Sequence, residues 1–74
     1  MIEIVFGAVL KEIRTERKIS QEKLAEHCGL DKTFISLLER GLRQPTITTI
    51  FKISKALNIS ASELIKRIES QNED

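Results

Sequence analysis

Few side chains in this sequence could do chemistry, and their spacing is the first constraint on function. His27 stands beside Cys28, the one histidine next to the one cysteine of the chain. Such a pair suggests a metal site or a Cys–His nucleophile. Neither reading holds. Tetrahedral coordination needs more His or Cys ligands than the chain contains. Neighbouring positions on a helix diverge by about 100°, so the imidazole does not face the thiol it would have to activate. Cys28 therefore reads as a core residue, because free cysteine packs as a small apolar group. Glu12 and Glu16, and likewise Glu22 and Glu26, are like-charge i,i+4 pairs on solvated faces. An acid/base dyad needs surroundings that push two pKa values apart, and these carboxylates have no pocket. No catalytic residue, no metal and no cofactor is expected, and the chain does not read as an enzyme.

The elements that carry these residues are helical. Seventy-four residues, 41% of them hydrophobic, make one small domain. A domain of this length buries only about 60% of its unfolded surface, so association would help it. The single cysteine excludes a disulfide framework. The longest apolar run, Ile4 to Leu10, has seven residues, against the roughly 20 that cross a bilayer. It has no basic segment before it and no small-residue cleavage site after it, so it is not a signal peptide. A reduced, cytoplasmic, soluble protein with no membrane partner is expected.

Phe6, Leu10, Ile13 and Arg17 recur at helical spacing, with Val5 and Val9 as a second apolar edge, and predict a helix over residues 3–18. Ser20 can cap a second helix over 21–28, which Gly29 ends. Asp31 can cap a third over 32–40, stopped by Gly41. Pro45 pre-sets a helix start, and Thr46 or Pro45 opens a fourth over 46–57 with Ile50, Ile53 and Leu57 on its core stripe. Ser60 and Glu63 have capping-box spacing for a fifth over 61–69. Residues 1–69 form the domain, and 70–74, which lack any apolar group, form a frayed tail. The fold class is all-α, with five short helices.

Leu24, Ala25, Gly29, Ile35 and Leu38 give the second and third helices their relation to each other. Ala25 is small enough for a steep crossing. Gly29 admits the positive φ of a tight turn, and Ile35 and Leu38 lock the next helix in place. That is the helix-turn-helix arrangement, which holds its second helix proud of the domain for a DNA major groove.

With these residues in place, the chain resembles the XRE-type helix-turn-helix regulators, which include lambdoid phage repressors and restriction–modification controller proteins. The matching stretches are Ile13-Arg14, Ser20-Gln21-Glu22-Lys23-Leu24-Ala25, Gly29-Leu30, Ile35-Ser36, Leu38-Glu39-Arg40-Gly41, Arg43-x-Pro45 and Ile53-x-x-Ala56-Leu57. Asp31 to Ser36 is also similar to the recognition segment of the controllers, with a basic residue, Thr and an aromatic in that order. The resemblance implies a lambda-repressor-like five-helix DNA-binding domain and a homodimer on a two-fold operator. Lys32, Thr33, Ser36 and Leu37 would meet base edges, where Lys donates to guanine and Leu or Thr meets a thymine methyl. Gln21, Phe34, Arg40 and Arg43 would meet the DNA backbone. It also implies an ion pair between Arg14 and Glu39 that ties the first helix to the end of the recognition helix.

Ile47, Phe51, Ile65 and Ile68 lie off the main core stripes, and two roles are open to them. They fill the core of a small domain, or they form a self-complementary dimer patch. The net charge of +1 is misleading as a guide to partners. Residues 1–67 carry 12 basic and 8 acidic groups, a net of +4, with the rest of the acid at the C-terminal end. The expected partners are double-stranded operator DNA, a second copy of the chain and, for an activator, RNA polymerase. No small-molecule ligand is expected. The rival reading is a helical protein-interaction module of antitoxin or anti-regulator type. It gives no reason to keep Gln21, Lys32, Thr33, Arg40 and Arg43 together.

Overall fold

Four of the helices begin by the same device. The Ser20 hydroxyl accepts from the Lys23 amide at 3.0 Å and the Asp31 carboxylate from the Thr33 amide at 2.7 Å. The Thr46 and Ser60 hydroxyls each accept at 3.1 Å, from the Thr49 and Glu63 amides. Each bond satisfies one amide that a helix start leaves without an internal partner. The computed structural model describes residues 1–72, and these residues form five helices and no strand. They are α1 (Ile2–Glu16), α2 (Gln21–Cys28), α3 (Lys32–Glu39), α4 (Ile47–Ala56) and α5 (Ala61–Gln71).

The first four helices also end alike. A left-handed residue follows each: Lys18 (φ 58°), Gly29 (67°), Gly41 (75°) and Asn58 (57°). The next amide then reaches back along the helix, Ile19 to Arg14 O at 3.1 Å, Leu30 to Ala25 O at 2.9 Å, Leu42 to Leu37 O at 2.9 Å and Ile59 to Ser54 O at 3.0 Å. These are Schellman closures, which satisfy carbonyls the helix itself leaves free. The left-handed Lys18 is why α1 stops at Glu16 instead of running to residue 18. α3 and α4 each end one residue early for the same reason, and α4 starts one residue late because Thr46 is its cap and not its first helical residue. α5 instead runs past Glu69, because Ser70 and Gln71 contain no helix breaker, so these two are helical rather than frayed. Glu73 and Asp74 of the expected tail lie outside the described residues.

α1 packs on α3 and α5, α2 packs on α3 and α4, and α4 packs on α5. Phe6, Val9, Leu10 and Ile13 enter the core from α1, and Leu24, Ala25 and Cys28 from α2. Ile35 and Leu38 are the two fully buried side chains of α3. Three expectations are corrected. Arg17 is not part of the α1 stripe: it is exposed, and its Nε donates to the Leu57 carbonyl at 2.9 Å, tying α1 to the end of α4. Ile50 is only half-buried, and Thr49 is buried on α4 in its place. Ile68 is 5% exposed and belongs to the core, not to a surface patch. It lies one turn beyond Leu64, on the face that α5 turns inward.

α1 crosses the end of α3 closely at Gly7. A Cβ there would collide with the Leu38 carbonyl oxygen and stand 2.6 Å from that of Glu39. These neighbours are backbone and cannot rotate aside, so α1 touches the end of α3 only because residue 7 has no side chain. Gly7→Ala should cost about 1–3 kcal/mol or more in urea unfolding, despite alanine's better helix propensity. Lys18→Gly should instead gain up to about 1 kcal/mol, since it relieves a left-handed side-chain residue. A Gly7→Ala midpoint equal to that of the parent would refute the close crossing.

Candidate nucleic-acid interface

The local sequence gives α3 two unlike sides. Ile35 and Leu38 are fully buried, and Phe34 is half-buried against the same core. Lys32, Thr33, Ser36, Leu37 and Arg40 occupy the other side at i, i+1, i+4, i+5 and i+8, one continuous helical face. Lys32, Thr33 and Arg40 on that face are exposed, and Ser36 and Leu37 are partly so. Arg43 is exposed in the loop that follows. Lys32, Arg40 and Arg43 make no ion pair with any described residue. The face therefore offers unneutralised cations, two hydroxyls and one aliphatic group, and no carboxylate.

Phe34 differs from the expectation that it meets DNA backbone. Its ring is committed to packing and has no hydrogen-bonding group to offer a phosphate. Cys28 is likewise a packing residue. Its Sγ donates to the Lys52 carbonyl at 3.7 Å, and burial pushes its thiol pKa up, away from thiolate chemistry. No group of His, Cys, Asp or Glu able to hold a metal occurs among the described residues.

What holds α3 in place is a polar network at its C-terminal end. Arg14 Nε donates to Glu39 Oε2 at 2.6 Å and Arg14 Nη2 to Glu39 Oε1 at 3.0 Å, a two-pronged ion pair. Arg14 Nη1 donates to the Ile19 carbonyl at 2.8 Å. The two side chains are only 11% and 3% exposed. Gln21 Nε2 adds a third donor to Glu39, at 2.9 Å from Oε1. Sequence reasoning did not find this last bond, because Gln21 is 18 residues away in the chain. It fixes the side chain that opens α2. The amides of Gln21 and Glu22 have no described protein acceptor beside it, and free amides at a helix start favour an anion. Gln21 is thereby held at the C-terminal end of α3, through the carboxylate of Glu39.

Breaking this network from one side leaves a buried charge without its partner, which costs about 3–5 kcal/mol. Glu39→Ala should therefore lower stability by that order in denaturant titration. An Arg14→Met/Glu39→Met double variant should lose much less than the two single changes added together. Strict additivity in that cycle would mean the two charges are not coupled.

Residues 10–64 match the family model described as "Helix-turn-helix". Control protein C.BamHI of Bacillus amyloliquefaciens is 43% identical over 65 residues, covering 86% of this chain and 80% of that one. The crystal structure of the restriction–modification controller protein C.AhdI from Aeromonas hydrophila superposes with a TM-score of 0.81 at 40% identity, over 84% of this chain and 94% of that one. SinR, a master regulator for biofilm formation crystallised in complex with DNA, superposes with a TM-score of 0.76 at 34% identity, over 81% and 97% of the two chains.

Proposed function

The chain belongs to the XRE-type helix-turn-helix family of transcription regulators, and on that premise we propose that it is a restriction–modification controller that binds a two-fold operator as a homodimer. Its work is regulatory and not enzymatic, in keeping with relatives named as control proteins and regulators. The observation that carries the reading is the two-sidedness of α3. Ile35 and Leu38 anchor it while Lys32, Thr33, Ser36 and Leu37 face outward together.

In this reading α3 enters the major groove. Lys32 donates to guanine O6 and N7, Thr33 and Ser36 donate or accept at base edges, and Leu37 meets a thymine methyl. Arg40, Arg43 and the Gln21 start of α2 hold the flanking phosphates. No helix of the described residues is long and apolar enough to cross a membrane, and the protein works in the cytoplasm, where its DNA is. Repression follows from occupying a promoter. Activation adds a contact with RNA polymerase beside the bound dimer. No small-molecule effector enters the scheme.

Dimerisation is supported by the surface of α4 and α5. Ile47, Phe51 and Ile65 are 67%, 59% and 42% exposed and line one continuous groove. Large apolar groups gathered this way on a small domain favour burial against a copy of themselves.

Lys32→Ala should cost about 1–3 kcal/mol of operator affinity and relax base preference at one position. Arg43→Ala should weaken all sequences alike and reduce the salt slope by about one. Selection from a random DNA pool followed by salt titration measures both. Equal binding to every sequence, by the parent as by Lys32→Ala, would exclude base readout. Phe51→Glu should sediment as a monomer at concentrations where the parent is dimeric. A Phe51→Glu variant that still dimerises would move the interface elsewhere.

A further inference from the structure

The outward face of α3 carries no carboxylate, but the residue that starts the helix is one. Asp31 directly precedes Lys32, is exposed, and forms no ion pair with any described residue. Its two oxygens are not alike. Oδ1 accepts from the Thr33 amide at 2.7 Å, which holds the carboxylate over the first turn of α3. Oδ2 has no donor among the described residues. We propose that Asp31 is a specificity-determining residue, an inference that rests on the DNA reading above. Its carboxylate accepts from the amino group of a cytosine in the operator and repels DNA that offers none.

Capping alone does not call for a charge here. Serine and asparagine cap a helix as well as aspartate, and Ser20, Thr46 and Ser60 cap the other starts of this chain without one. The N-terminal part of a recognition helix is the part that meets base edges. A fixed negative charge at that end stands against the phosphates that Lys32, Arg40 and Arg43 attract, and it weakens attachment to every sequence alike. Entry into the groove also takes Oδ2 out of water, and an acceptor left unpaired there adds a further cost. Base identity decides whether that cost is recovered. Guanine and thymine turn acceptors to the major groove, and adenine sets its N7 acceptor beside its amino group. Cytosine presents the N4 amino group alone, the partner that a carboxylate takes. Asp31 therefore adds contrast between sequences and not affinity. Lys32 beside it donates to guanine, so the start of α3 favours G·C pairs on both counts.

Asp31→Asn tests this, because asparagine keeps a capping oxygen and removes the charge. Its urea midpoint should equal that of the parent. Its affinity for random-sequence duplex at low salt should rise about three- to tenfold, with a steeper salt dependence. The ratio of operator to random-sequence binding should fall about five- to fiftyfold. In selection from a random DNA pool, one position of each half-site should lose its cytosine. Asp31→Ser, a second uncharged cap, should do the same. Variants that select the parent's sequence and bind random DNA no tighter than the parent would leave Asp31 a cap only and overturn the proposal. A preference that changes at a base other than cytosine would overturn it too. The parent, measured alongside, separates the two levels. A parent that binds every sequence equally removes the operator reading itself. A selective parent matched by both variants removes only the role of Asp31.

Discussion

The carboxylate of Glu39 is where the parts of this domain are tied together. It sits 3% exposed at the last position of α3 and takes donors from α1 and from the start of α2. A charge so far from water must be compensated nearly completely. Few arrangements of three short helices bring a guanidinium and an amide to the same two oxygens. The network therefore selects geometry more than it adds stability, since an apolar replacement of equal volume often does as well energetically. Arg14 extends the constraint by holding the Ile19 carbonyl, so the link between α1 and α2 is fixed by the same side chain. α3 needs this help. Its exposed outward face leaves it only Ile35 and Leu38 fully in the core.

The missing side chain of Gly7 acts together with that network. It lets α1 approach the backbone of Leu38 and Glu39, and Arg14 lies two turns further along the same helix. Gly41 repeats the pattern on the far side, where a Cβ would stand 2.9 Å from Ile4 Cγ1. The end of α3 is thereby enclosed by α1 on backbone, side chain and turn at once. What remains free to vary is the outward face, where operator preference would be written.

Much of this was legible in the sequence because it is local. A Ser, Thr or Asp cap followed by a helical apolar period places a helix start within a residue, and Gly29 and Gly41 announce their own turns. Asn58 suits such a turn as well, because asparagine is one of the few residues besides glycine that visit the left-handed region readily, whereas nothing in the propensity of Lys18 marks it. The candidate face was readable from residue types once α3 was placed. The Arg14–Glu39 pair was readable through resemblance. Its third member, Gln21, was not, since nothing in the spacing of an amide and a distant carboxylate marks a contact. Phe34 and Ile68 fell on the wrong side for a related reason. In an eight- or eleven-residue helix, a few tens of degrees of rotation separate core from surface, and periodicity alone does not resolve that.

The distribution of charge then bears on how the proposed regulator would use this face. Net charge is +1, but Glu39 is consumed by its network, and Lys32, Arg40 and Arg43 remain unpaired among the described residues. Electrostatic attraction to DNA scales with the number of phosphates neutralised. Three free cations on one protomer would give weak attachment to any sequence, and the proposed dimer would double it while adding a second set of base contacts. The monomer would then be a poor competitor against genomic DNA, and the dimer a selective one. Occupancy of an operator would follow the concentration of that dimer, which at low expression rises as the square of the protomer concentration.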